Sequence, residues 1–91
     1  MKRFSGDAIF RKHQLAACIA EMVSHNGWSQ REAARQLEIS QAKLSNIFNG
    51  KFEGVSELKL MQCLVLLGND VKITVSRTPQ GMQGELSVEI V

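Results

Sequence analysis

Over the first two thirds of the chain the apolar positions recur at helical spacing. Between Asp7, suited to an N-cap, and Gly27, suited to a C-terminal stop, Leu15, Ile19, Met22 and Val23 fall at i, i+4, i+7 and i+8, one face of a helix. "SQRE", from Ser29 to Glu32, has the form of a capping box, in which the serine hydroxyl accepts from the N3 amide and the glutamate reaches back to the cap. It predicts a second helix from about Gln30 to Leu37. Ser40 is a further cap, opening "QAKLSNIFN", and Gly50 suits the left-handed position that closes it, so a third helix is expected over residues 41–49. After "KFEGV", Ser56 caps a fourth, with Leu58, Leu60, Met61, Leu64, Val65 and Leu67 apolar up to Gly68. So broad an apolar surface predicts burial on more than one side.

Beyond "GND" the period changes to two. Val71, Ile73 and Val75 alternate with Lys72, Thr74 and Ser76, and Leu86, Val88 and Ile90 alternate with Ser87 and Glu89. Two strands joined through "RTPQGMQG", which holds the only proline, are expected. A lone two-stranded hairpin is marginal in water, and its open edges invite another chain. Residues 71–91 therefore read as a dimerisation element acting through Val71, Ile73, Val75, Leu86, Val88 and Ile90. The alternative is a hairpin folded onto the helices of its own chain. The fold class expected is mainly α, four to five helices followed by a C-terminal pair of β-strands, divided into residues 1–70 and 71–91.

The second and third predicted helices are joined by only a few residues. Two helices held so closely at a steep angle form a helix-turn-helix, in which the second protrudes into the DNA major groove while the first braces it over the backbone. Ala33, Ala34, Leu37, Ile39, Leu44 and Ile47 supply the apolar positions needed between the pair and the rest of the domain, and Ala34 is small where the helices cross. What remains on the third helix is polar: Gln41, Ala42, Lys43, Ser45, Asn46 and Asn49. Glutamine and asparagine pair bidentately with adenine, lysine donates to guanine or phosphate, and alanine touches a thymine methyl. Ser29 and Gln30, at a helix N-terminus, suit phosphate, as do Asn49 and Lys51 after the third helix. The competing reading of these side chains is an ordinary solvated surface.

Composition adds less. In 91 residues there is room for one domain and one core, near the lower limit of self-sufficiency, which makes association with another chain an expectation. No apolar run approaches the roughly 18–20 residues that span a bilayer, and "MKRFSGD" lacks the apolar stretch of a secretory signal, so a cytoplasmic protein with no membrane partner is expected. Net charge is only +2, but Lys2, Arg3, Arg11 and Lys12 concentrate positive charge near the N-terminus. Cys18 and Cys63 are far apart within apolar helical patterns, without a CxxC or Cys/His cluster, and are expected to be buried thiols; no metal site or cofactor is expected.

The stretch "SQREAARQLEISQAKLSNIFNGK", residues 29–51, resembles without a gap the DNA-binding unit of the Xre/Cro family of phage-repressor-like regulators. With "GVSELKLMQCLVLLGNDVKITV" the likeness extends to the HigA-like antitoxin branch, in which a fourth helix ending "LG-N/D-V" feeds a strand. The resemblance implies a lambda-repressor-like domain, a backbone contact from Gln30, and base contacts from Gln41, Ala42 and Asn46, with Lys43 and Ser45 dividing between base and phosphate. It also implies a homodimer on a near-palindromic double-stranded operator, repression of its own operon and a cognate toxin as partner. "MKRFSGDAIFRKH" is the candidate toxin-binding segment, set against an ordinary frayed terminus. Two positions depart from the family pattern. Glu38 stands where the turn usually has glycine, at a strain of order 1 kcal/mol, and Ala42 replaces one of a familiar pair of glutamines.

Other function classes find little support. There is no Cys/His or Ser/His/Asp arrangement, no paired carboxylates at useful spacing and no glycine-rich phosphate loop, so an enzyme is not expected. Too little chain remains beside the helix-turn-helix to build a small-molecule sensor. A stand-alone or prophage repressor, or a protein-interaction module with a vestigial helix-turn-helix, remain the alternatives to an antitoxin.

Overall fold

The computed structural model describes the backbone of residues 2–91 and the side chains from residue 6 onward. Its elements are β1 (Lys2–Ser5), α1 (Ala8–His25), α2 (Gln30–Leu37), α3 (Gln41–Phe48), α4 (Glu57–Leu66) and β2 (Ser87–Ile90). Each helix begins on a side-chain cap. Asp7 Oδ1 accepts from the Phe10 amide at 2.8 Å, and the hydroxyls of Ser29, Ser40 and Ser56 accept from the amides of Glu32, Lys43 and Lys59 at 3.0–3.1 Å.

The four helices also end alike. In each, the amide two or three residues past the helix donates to a carbonyl five residues back, while the amide before it donates three back: Trp28 to Val23, Ile39 to Ala34, Lys51 to Asn46 and Asn69 to Leu64 make the longer bond. This is the Schellman closure, which needs a left-handed residue at its corner. Three corners are glycine; the fourth is Glu38, at φ 59° and ψ 39°.

All four helices contribute to one core. Leu15 and Ile19 of α1, Leu37 of α2, Leu44 and Ile47 of α3, and Leu60 and Cys63 of α4 are almost fully buried, with Phe52 and Val55 closing it from the α3–α4 loop. Arg11 crosses this body. Its guanidinium donates to both carboxylate oxygens of Glu57 at 2.8 and 2.9 Å and to the Gly6 carbonyl, clamping the start of α4 to α1 and to the chain entering it. That bidentate partnership raises the pKa of Arg11 and holds Glu57 below its ordinary value. Both cysteines are thiols; Cys63 is buried, which pushes its pKa up, and Cys18 is half-buried.

Two expectations, one about the strands and one about α4, need correction. Residues 71–76 form no strand, and the C-terminal pair of strands is not built from two tail segments. β2 pairs antiparallel with β1, in the register Lys2 to Ile90 through Ser5 to Ser87. Alternation marks a segment as strand-competent but names no partner, and β1 is too short to show a period. Val88 packs against the core, whereas Leu86 falls outside β2 and, with Val71, Ile73 and Val75, is exposed. The second difference concerns α4: only the side carrying Leu60, Cys63 and Leu64 is buried within the chain, and Leu58, Val65 and Leu66 face outward. Met1, and the side chains of the basic segment as far as residue 5, lie outside the described residues.

Candidate nucleic-acid interface

The α2–α3 pair is assembled on small and branched side chains. Ala33 and Ala34 of α2 are buried, and with Leu37, Leu44 and Ile47 they join both helices to the one core. A larger residue at Ala34 would force the helices apart, because interiors have no spare volume. The turn between them is the Glu38 corner, followed by Ile39, which packs on the core, and Ser40, which caps α3. The left-handed backbone at Glu38 reverses the chain within three residues, and this sets the angle between α2 and α3.

Leu44 and Ile47 define the inner side of α3. At 3.6 residues per turn the opposite side carries Gln41, Ala42, Ser45, Asn46 and Asn49. Gln41, Ala42, Asn46 and Asn49 are exposed there, and Ser45 is half-buried. The Asn49 amide reaches towards the Ser45 hydroxyl at 3.5 Å, so these two side chains share one end of the strip. Lys43 does not belong to it. It lies on the flank of α3, half-buried.

Ser29, Gln30 and Lys51 are exposed at the two ends of the unit, the first two at the α2 N-terminus and Lys51 just past α3. The capping box at Ser29 is only half formed. Glu32 receives the serine cap at its amide, but its carboxylate turns along α2 to Arg35, at 2.7 and 2.9 Å, and to Gln36 at 3.0 Å. Arg35, then Gln36, hold the Glu32 carboxyl at a pKa of about 2.

Two residues were missed by sequence reasoning. Arg31 is an exposed cation in the first turn of α2 beside Gln30; a charge next to a backbone-contacting position was the available signal. His13 of α1 sets its ring edge-on to Phe52, with centroids 4.9 Å apart, and covers Gly50, where an added Cβ would lie 2.7 Å from the imidazole. Gly50, at φ 74°, is therefore required both by the left-handed corner after α3 and by this close approach. No local pattern announces a contact between residues so distant in sequence.

Two short helices packed on one core, a left-handed turn between them and a polar outer strip on the second define a helix-turn-helix domain. Among the described residues no group of histidine, cysteine or acidic side chains is arranged to hold a metal, and no helix is long and apolar enough to cross a membrane.

Comparison with known proteins agrees with this class. The family model described as a helix-turn-helix domain matches residues 5–76. A solved structure assigned to the XRE family of transcriptional regulators superposes with a TM-score of 0.75 at 32% sequence identity, over 85% of this chain and 86% of that one. No curated protein matches. The chain belongs to this helix-turn-helix family and is a DNA-binding regulator of the XRE type.

Proposed function

We propose that the protein is a homodimeric, sequence-specific repressor of its own operon and the antitoxin of a type II toxin–antitoxin pair. The observation that carries the DNA-binding part is the outer strip of α3, polar and exposed directly opposite its buried Leu44 and Ile47. In this reading Gln41, Ala42 and Asn46 meet base edges in the major groove. Ser29, Gln30 and Arg31 at the α2 N-terminus, with Asn49 and Lys51 beyond α3, hold the flanking phosphates. Ser45 supports Asn49, and of the base and phosphate contacts expected of Lys43 its place on the flank of α3 favours phosphate. Two protomers place their α3 helices in successive major grooves of a near-palindromic site, about one helical turn or ~34 Å apart.

Residues 1–70 carry the DNA-binding function and residues 71–91 the dimer contact, through Val71, Ile73, Val75, Leu86 and Ile90, with Val88 turned to the core of its own chain. The exposure of Val71, Ile73 and Val75 in the single chain supports this. Support for an antitoxin role is the likeness of residues 54–75 to the HigA-like branch, which also implies a cytoplasmic setting and a toxin partner bound near the N-terminal basic segment.

The deciding experiment is a salt-titrated binding assay on the DNA upstream of the gene, with a scrambled duplex as control. Tight binding to the upstream site alone, weakening steeply with salt as phosphate contacts predict, supports the repressor. Equal or absent binding to both would assign the fold a protein-interaction role. Co-expression with the product of the adjacent reading frame separates an antitoxin, which rescues growth, from a stand-alone or prophage repressor.

A further inference from the structure

We infer that His13 of α1 is a further phosphate contact, a side-chain donor that carries the DNA footprint from the α2–α3 pair onto the first helix. The inference rests on the DNA-binding reading above and adds a residue to it. His13 is exposed, and among the described residues its imidazole makes no hydrogen bond. Packing nevertheless holds the ring. It meets Phe52 edge-on, with centroids 4.9 Å apart and planes inclined at 77°, and its Cε1 would lie 2.7 Å from a Cβ on Gly50. A donor whose orientation is already set by packing loses little freedom on meeting a ligand.

The ring stands where side-chain donors are needed. Gly50 lies between Asn49 and Lys51, both exposed and both assigned above to phosphate, so the imidazole joins that same end of α3. The backbone there has no amide left to offer: Asn49 donates to Ser45 and Asn46, Gly50 to Ile47, and Lys51 to Asn46 as the helix closes. Aligned peptide dipoles also leave a helix C-terminus partially negative, which disfavours a phosphate. The last turn of α3 has no basic residue to offset this. A phosphate at this end is therefore held by side chains, and those gathered there are Asn49, Lys51 and His13.

The neighbouring cations of α1 do not fill this place. Arg11 is buried on Glu57, and Lys12 is half-buried. The competing role for His13 is packing alone, as a cover over Gly50 and Phe52. Any flat ring would serve that purpose. Phenylalanine would cover Gly50 and meet Phe52 in the same way with no nitrogen to donate, so it separates the two roles. A phosphate contact has a second mark: it carries no sequence information, so its loss is felt equally on every duplex.

The test compares the full-length parent with H13F, H13Q and H13A by fluorescence anisotropy, on the upstream duplex and on a scrambled one, at low salt. H13F should weaken binding by ~10-fold or more, the worth of a hydrogen bond to a charged group, and by the same factor on both duplexes. H13Q keeps an N–H donor and should bind more tightly than H13A. Methylphosphonate substitution, one phosphate at a time, then locates the contact: one neutralised position should weaken the parent and leave H13F unaffected. H13F binding as tightly as the parent would make His13 a packing residue and overturn the inference, with the DNA-binding reading intact. So would a loss confined to the upstream duplex, or neutralised phosphates that weaken H13F and the parent alike at every position. Should urea unfolding show that H13F does not fold, H13Q and H13A decide, and equal binding by the two overturns the inference. A parent chain that binds neither duplex at low salt sinks the DNA-binding reading itself.

Discussion

Glu38→Gly should stabilise the protein, and the size of the effect follows from one backbone angle. Glu38 is the single non-glycine residue at positive φ among those described, and it sits at the corner of a Schellman closure that the other three helices make with glycine. An L-residue in this conformation is strained by about 1–2 kcal/mol, and glycine is not. Against that, glycine gives the unfolded chain more freedom, an offset of about 0.4–1 kcal/mol. A net gain of ~0.5–1 kcal/mol remains, or a rise in Tm of ~3–6 °C for a domain of this size.

The competing effect is the Glu38 carboxylate, which lines a shallow depression with Lys59 and Val65. Any favourable interaction of this exposed charge contributes at most ~1 kcal/mol. Glu38→Ala isolates it, since alanine keeps the strain and removes the charge. Urea unfolding of the three proteins at one protein concentration gives the answer as a shift in midpoint at constant m-value. Affinity for DNA should stay within ~2-fold, because glycine adopts the same corner without moving α3. If Glu38→Gly and Glu38→Ala lose stability equally, the corner is not strained and the side chain is what matters; a large loss of DNA affinity in the glycine variant would show that Glu38 does more than turn the chain.

Three further outcomes are expected. Asn46→Ala should weaken operator binding by roughly 1–3 kcal/mol and relax base preference, whereas an equal loss on random DNA would reassign Asn46 to phosphate. Gly50→Ala should destabilise by about 1–2 kcal/mol from the left-handed corner alone, and more from the contact with His13; pairing it with His13→Ala should recover the second part, and strict additivity in urea unfolding would refute the contact. Acid should weaken the Arg11–Glu57 clamp. Glu57 is held below its ordinary pKa by Arg11, so its contribution is complete above the unfolded carboxylate pKa of ~4.3 and is lost as pH falls through the lower folded value, with Glu32, at about 2, following the same sign. Glu57→Gln should therefore be less stable at pH 7 and lose less on acidification; parallel midpoint-against-pH curves would refute this.

The helical part of the fold was legible because its signals are local. Each serine or aspartate cap stands three residues before the amide it accepts from, each closure has its corner one or two residues past the last turn, and the apolar period shows which side of a helix is buried. The candidate interface shares that legibility: Gln41, Ala42, Asn46 and Asn49 are exposed because Leu44 and Ile47, read as core positions, are buried opposite them. Arg11, Lys43 and His13 show where local reading stops. Arg11 looked like one more N-terminal cation, yet it is buried on Glu57, forty-six positions away, and its charge is unavailable to a nucleic acid.

The tail was half legible for a related reason. A period of two states that one side of a segment prefers an apolar surface, and it does so equally for 71–75 and for the residues around β2, but pairing is a property of two segments at once. Within the chain β2 is joined by β1, four residues with too few positions to display any period. The expectation for 71–75 was an apolar surface and a neighbouring strand, and the single chain provides it with neither. An exposed apolar segment of strand period carries an aggregation hazard. Val71, Ile73 and Val75 carry that hazard in the single chain, and the dimer contact proposed for residues 71–91 is one arrangement that would remove it.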